Sequence, residues 1–213
     1  MTPRAFGSLI TAFIALAGVG IVAAPVAQAA DTNCPIAATY PGTGTSGDPF
    51  LISTPGQLQR LRDTSADWND TVKLASDIDM SSGGSDCVWA TTIGDANPSS
   101  WTGTFDGGGH VVSGLDISVT SGFAGFIGYL GSGGAIRDLG FTGDVTVTFT
   151  RAGSASPGVG GLVGWTLQST IDRSFATGNV TVTSTATASG GSATSSPYVG
   201  GLVGNLQATL TDS

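Results

Sequence analysis

The chain has 213 residues, of which 15 are acidic, all of them Asp, and 7 are basic, for a formal net charge of −8. An acidic surface disfavours nucleic acid and anionic membranes as partners. With no Glu and one histidine, His110, a His-Glu-x-x-His zinc peptidase is excluded, and two cysteines without a second His make no zinc site of the usual kind.

Residues 1–29 read as an export signal. Arg4 supplies the positive charge, Leu9 to Val22 the apolar stretch, and Ala27-Gln28-Ala29 the small-residue cleavage pattern. The competing reading is an uncleaved membrane anchor, but the stretch is rich in weakly apolar Ala and Gly. Cleavage would start the mature chain at Ala30, with no membrane insertion afterwards. Cys34 and Cys87 then enter an oxidising compartment, where an exported pair most simply forms one disulfide; two free thiols are the alternative.

Residues 30–100 read as an N-terminal cap region. Pro35, Pro41, Gly42, Gly44, Gly47 and Pro49 break its first part. Phe50-Leu51-Ile52 is a short strand. Thr54, Pro55 and Gln57 form a capping-box signature that predicts a helix over 55–62, with Leu58 and Leu61 on one face. The alternation from Lys73 to Met80 predicts a strand.

Residues 101–213 read as stacked repeats. Thr102–Phe105, His110–Val112, Leu115–Val119 and Phe123–Ile127 are strand-like runs between glycines. The phrase Gly125-Phe126-Ile127-Gly128 returns as Gly161-Leu162-Val163-Gly164 and as Gly201-Leu202-Val203-Gly204, 36 and 40 residues on. Ile136-Arg137-Asp138 returns as Ile171-Asp172-Arg173, and the Val-Thr-Val-Thr run at 145 returns at 180. The third copy reaches only Leu210–Ser213, so it reads as truncated. Such periods mean that each repeat buries its apolar face only against neighbours. Three strands per period are expected, with variable loops near 150–158 and 184–197. The predicted fold is all-β, a right-handed parallel β-helix with a short N-terminal capping helix; the alternative is a β-propeller-like repeat. Three ladders follow: Phe126, Leu162 and Leu202; Ile136, Ile171 and Leu210; Val147 over Val182. Glycines at the corners would supply backbone conformations closed to other residues.

Val159-Gly-Gly-Leu-Val-Gly164 and Val199-Gly-Gly-Leu-Val-Gly204 resemble the GLUG motif, a repeat of large exported bacterial proteins. Trp101-Thr-Gly-Thr-Phe-Asp-Gly-Gly-Gly-His110 and the segments around Pro49–Thr54 and Leu74–Met80 resemble what precedes such repeats. The resemblance implies a building unit of adhesin-like surface proteins or of the non-catalytic parts of secreted peptidases. It implies no cofactor. Where the family often has Asn-Ser after the Ile of the second strand, this chain has Asp138-Leu139, Arg173-Ser174 and Asp212-Ser213.

Among chemical groups, Asp77 and Asp79 lie two apart on the expected strand and would share a face. Paired Asp can bind calcium or cleave polysaccharide, but a polar flank to Ile78 and Met80 is the plainer role. His110 reads as part of a glycine turn, and Asp106 as a turn-former. Asn69 and Asn179 match the glycosylation pattern. Trp68, Trp89 and Trp101 read as apolar plugs. Trp165, which faces Asn205 in the next repeat, reads as exposed and able to stack on sugar. The leading functional expectation is a non-enzymatic exported repeat module, structural or binding, of a surface or secreted adhesin-like protein. Its ligand would be a glycan or a protein of a host or another cell. A carbohydrate-active β-helix enzyme using Asp is the alternative. Thr146 over Thr181 and Thr148 over Thr183 would give a small Thr grid suited to ice or another crystal surface.

Overall fold

The computed structural model describes residues 31–82, 84–95, 99–152, 156–187 and 196–213. The export signal and its cleavage point lie outside the described residues, as does residue range 188–195 within the second loop. Strand β1 (Phe50–Ile52) leads into helix α1 (Pro55–Asp63). Thr54 is extended and accepts from the Gln57 N–H, while Gln57 Oε1 accepts from the Thr54 N–H at 3.1 Å. The capping box therefore forms as its residues predict. Leu58 and Leu61 are fully buried, and Arg60 and Arg62 occupy the last turn, where positive charge suits the helix dipole.

The chain then winds in coils. The first coil holds β2 (Thr71–Leu74), β3 (Ile78–Asp79) and β4 (Cys87–Trp89). The strand expected over Lys73–Met80 is in fact two strands of different sheets. The chain turns between them, and the turn keeps Leu74, Ile78 and Met80 all buried. The second coil holds β5 (Thr104–Asp106), β6 (Val111–Ser113), β7 (Leu115–Val119) and β8 (Ile127–Leu130). The third holds β9 (Ala135–Arg137), β10 (Gly140–Thr142), β11 (Val145–Ala152), β12 (Gly158–Gly160) and β13 (Val163–Thr166). The fourth holds β14 (Thr170–Asp172), β15 (Phe175–Thr177), β16 (Val180–Thr187), β17 (Tyr198–Gly200) and β18 (Val203–Asn205); β19 (Thr209–Thr211) opens a fifth.

Strands at equivalent places stack into sheets. One sheet runs β1-β2-β5-β9-β14-β19, a second β15-β10-β6-β3, a third β16-β11-β7-β4, a fourth β12-β17 and a fifth β18-β13-β8. Every ladder between these strands is parallel. That is the parallel β-helix, and it rules out a propeller, whose blades are antiparallel. Pairing runs unbroken from β2 through β5 to β9, so stacking begins well before Trp101.

The registers match the repeat alignment. Ile136, Ile171 and Leu210 are consecutive rungs, and Val147 pairs with Val182. Thr146 pairs with Thr181 and Thr148 with Thr183. The Leu162 N–H donates to Leu202 O at 3.0 Å, and the Phe126 N–H to Gly161 O at 3.2 Å, so the third ladder also stacks. Two expectations need correction. A full coil has five short strands, not three. The returning phrase is also not itself a strand: its first half is a bend, and the strand begins at Ile127, Val163 or Val203. Phe123–Ile127 is accordingly the approach to β8.

The core is a column of stacked side chains. Phe126 packs against Trp89 at 6.0 Å, and against Phe105 and Phe141 each at 5.5 Å between ring centroids. Trp68, Trp89 and Trp101 are buried. Trp68 donates to Leu61 O and Trp89 to Gln59 Oε1, so both tie α1 over the N-terminal end of the column. Buried indole N–H groups need such partners.

Candidate functional site

The N-terminal end is locked covalently. Cys34 and Cys87 form a disulfide across 53 residues of sequence. The bridge fastens the first described segment to β4, where Thr32 also pairs with Val88. Beside it, Asp31 pairs with Arg62 of α1 and accepts from the Ala90 N–H at 2.9 Å, and the Arg62 guanidinium lies 5.1 Å from the centre of the Trp89 ring. Burial works to raise the Asp31 pKa, but hydrogen bonds from Arg62 and Ala90 together with the Arg62 charge outweigh it and hold the carboxyl below its ordinary value.

The returning phrase forms a close-packed corner of its coil. None of its six glycines, Gly125, Gly128, Gly161, Gly164, Gly201 and Gly204, has a positive φ. For all but Gly201 the role is close approach to neighbouring atoms, mostly backbone, which corrects the conformational role expected for them. A Cβ on Gly164 would stand 2.7 Å from Gly128 O, and one on Gly204 would stand 2.6 Å from Gly164 O. A Cβ on Gly161 would meet Gly201 O at 2.4 Å, while Gly201 faces open space. Between the glycines, Leu162 and Val163 are fully buried, whereas Leu202 and Val203 at the last corner are half-buried.

Polar side chains take up backbone groups at the other corners. Asp138, Arg173 and Asp212 occupy one corner in successive coils, each left-handed, with φ of 51°, 45° and 50°. The Arg173 guanidinium grips Asp138 with two hydrogen bonds, of 2.7 and 2.9 Å, and also reaches Asp172. Those hydrogen bonds hold Asp138 below the usual carboxylate range. Next to them, Ser174 Oγ accepts from the Leu139 N–H, and Ser213 Oγ from the Ser174 N–H. A charge pair and a serine ladder thus stand at the positions where the resembled family often has Asn-Ser. Asp116 accepts from the Asp144 N–H, and Asp144 in turn from the Asn179 N–H, each at 2.8 Å.

The suspected catalytic carboxylates are used in the same way. Asp77 accepts from the Val111 N–H at 3.1 Å and lies 3.0 Å from His110 Nδ1. The hydrogen bond from Val111, with that from His110, lowers the Asp77 pKa. Asp79 closes a turn on the Ser81 N–H, so the two carboxylates bond different segments. Asp106 forms its expected turn, accepting from the Gly108 N–H, and adds an ion pair with Arg137 of the next coil at 2.8 Å. Asn179 is exposed, and its side chain donates to Asp144.

Among the described residues, one aromatic cluster stands apart from this use. Tyr129, Trp165 and Asn205 are in register on β8, β13 and β18. Phe123 lies 5.2 Å from Trp165 and 5.3 Å from Tyr129, and Tyr198 lies 5.6 Å from Trp165. The register places Gly158 opposite Tyr198, and a Cβ on Gly158 would come 3.3 Å from the Trp165 ring, which therefore fills the space the glycine leaves. Tyr129 is buried beneath the cluster, Phe123 and Trp165 are half-buried, and Tyr198 is 46% exposed. Trp165 was legible as the odd member of its rung. Tyr129 could have been found at the same offset after its glycine, but Phe123 and Tyr198 needed the coil register.

Comparison with known proteins matches these features. The GLUG motif matches over residues 155–183, which span the corner at Gly161–Gly164 and strands β13 to β15. Halomucin of Haloquadratum walsbyi is 37% identical over 105 residues, covering 49% of this chain and 1% of that protein. A protein described as a Gly-rich membrane protein, from Evansella cellulosilytica, is 33% identical over 108 residues, covering 48% of this chain and 12% of that one. The chain thus spans a small part of the length of these relatives. No solved structure matches it. The coils stack through the close-packed corner on which the motif falls, and the chain carries the GLUG motif within a stack of similar coils.

Proposed function

We propose that the chain is a non-enzymatic, exported repeat module of a cell-surface or secreted adhesin-like protein, with a structural and binding role. The observation that carries this reading is the use made of the acidic side chains. Asp77, Asp79, Asp106, Asp116, Asp138 and Asp144 each accept from a backbone N–H or an Arg that closes a turn or joins two coils. A hydrolytic pair would need two carboxyls converging on one groove. The Cys34–Cys87 disulfide supports an oxidising destination. The names of the two relatives, a mucin and a membrane protein, agree with a surface setting.

The test is localisation of the full chain, tagged at its C-terminus, in an exporting host. It should be found in the medium or be removed by protease from intact cells, with an N-terminus at Ala30. Recovery from the cytoplasm starting at Met1 would refute the proposal.

A further inference from the structure

We infer that the cluster Phe123, Trp165, Tyr198, Asn205 and Gln207, backed by the buried Tyr129, is a binding site for an uncharged polysaccharide lying along the axis of the solenoid. The inference deepens the binding role proposed above and rests on it. Three observations carry it. First, the cluster continues across three successive coils: Phe123 and Tyr129 come from the second, Trp165 from the third, Tyr198 and Asn205 from the fourth. Adjacent coils are spaced by about 4.8 Å, the distance between paired strands. A linear ligand along the axis therefore meets a new side chain at each step.

Second, the fold does not require an aromatic residue at Trp165. Its partners on the same rung are Tyr129 below and Asn205 above, and both sustain the same parallel pairing. Trp165 is nonetheless fixed in place, with Phe123 at 5.2 Å on one side and Tyr198 at 5.6 Å on the other. A ring held by neighbours loses little freedom when a ligand stacks on it.

Third, the chemistry is neutral and mixed. The six side chains carry no charge in a protein of net charge −8. The half-buried rings of Phe123 and Trp165 and the exposed ring of Tyr198 offer apolar faces to sugar C–H groups, and the Tyr198 hydroxyl and Trp165 indole N–H are hydrogen-bonding groups at their edges. Gln207 Nε2 donates to Asn205 Oδ1 at 3.2 Å, which sets a pair of amides beside the rings. Amides both donate to and accept from hydroxyls. An anionic glycan would bring its charges to an acidic protein with no cation in the cluster, so the complementary ligand is uncharged.

The experiment uses the exported chain titrated with four soluble neutral polysaccharides, a β-1,3-glucan, xyloglucan, mannan and dextran, with polygalacturonate as the anionic control. Trp68, Trp89 and Trp101 are buried, so a change in tryptophan fluorescence reports Trp165. At least one neutral polysaccharide should give a saturable change. Trp165→Asn places the residue of the next coil at that position and should weaken binding by about tenfold or more, measured by affinity electrophoresis. The melting temperature of this variant should stay within about 4 °C of the parent. Tyr198→Ala is the second variant, expected to weaken binding without unfolding an exposed position. Saturable binding to none of the four, binding to polygalacturonate alone, capture of a protein with no glycan affinity, or equal affinity in Trp165→Asn would overturn the inference. An exported chain that binds no glycan would sink this inference and leave the export proposal standing. A cytoplasmic chain would sink the latter whatever the titration shows.

Discussion

Gly164 and Gly201 carry the same residue in the same repeated phrase, but an added methyl group should have opposite effects at the two places. At Gly164, the new Cβ would lie 2.7 Å from both Ala124 N and Gly128 O, and 2.8 Å from Ala124 O. All three are backbone atoms of the preceding coil. Neither rotamer change nor side-chain motion relieves the overlap, so the coils must separate locally. Overpacking of this kind costs about 1–3 kcal/mol or more. In a chain of this size that lowers the melting temperature by roughly 2–4 °C per kcal/mol. Gly201 has nothing within 4 Å of its would-be Cβ and lies outside the left-handed region. There, alanine restricts the unfolded chain without strain in the folded one, and Gly201→Ala should be neutral or stabilising by about 0.4–1 kcal/mol. Thermal and urea melts of the two single variants of the 213-residue chain are the assay. Equal loss in both, or a stable Gly164→Ala, would refute the assignment of close approach to the motif glycines.

Leu162 is fully buried between coils, so Leu162→Ala should cost about 2–5 kcal/mol, whereas exposed Thr181→Ala should cost about 0.5 kcal/mol or less; a thermal melt showing the reverse order would mean a register slipped by one residue. Replacing Cys34 and Cys87 together by Ser should lower stability by about 2–4 kcal/mol, and intact mass with and without reductant should first show the bridge in the parent; two alkylatable thiols in the native parent would contradict it. Because the folded Asp31 pKa lies below its ordinary 3.8, its ion pair with Arg62 contributes stability above pH 3.8 that fades as pH falls through the lower folded value. Asp31→Asn should therefore destabilise at pH 7 and match the parent at the acid end, as read from denaturant melts across pH; a constant difference at all pH values would dismiss the ion pair as the cause.

Much of the architecture is a matter of local pattern and could be read before any coordinates. The box around Thr54 and Gln57 closes within one turn, so its residues suffice to place α1. Ile136, Ile171 and Leu210, and the Val-Thr-Val-Thr runs, return in phase because each coil buries its inward face only against the next. Their alignment therefore fixes the register. Cys34 and Cys87 were the only two candidates for a bridge. What the alignment left undecided lies where an isolated segment has no preference. Glycine looks the same whether it is chosen for a left-handed turn or for contact with a carbonyl of another coil, and only the stacked backbones separate the two. The number of strands per coil was misread because Gly158–Gly160 and Val163–Thr166 meet at a bend with no period of two to mark it. Asp77 and Asp79 could be weighed for catalysis in the sequence because their partners come from distant segments: the coils bring the Val111 N–H to Asp77, as they bring Arg137 to Asp106, the Asp144 N–H to Asp116, Arg173 to Asp138 and the Asn179 N–H to Asp144. The row at Phe123, Trp165 and Tyr198 exists only through stacking, because its members come from different coils. The sequence by itself therefore determined the repeat, its register and the one pair of cysteines that could bridge. The tertiary structure decided which polar groups the stacking consumes and which aromatic ones it leaves at the surface, since both depend on contacts between residues far apart in the chain.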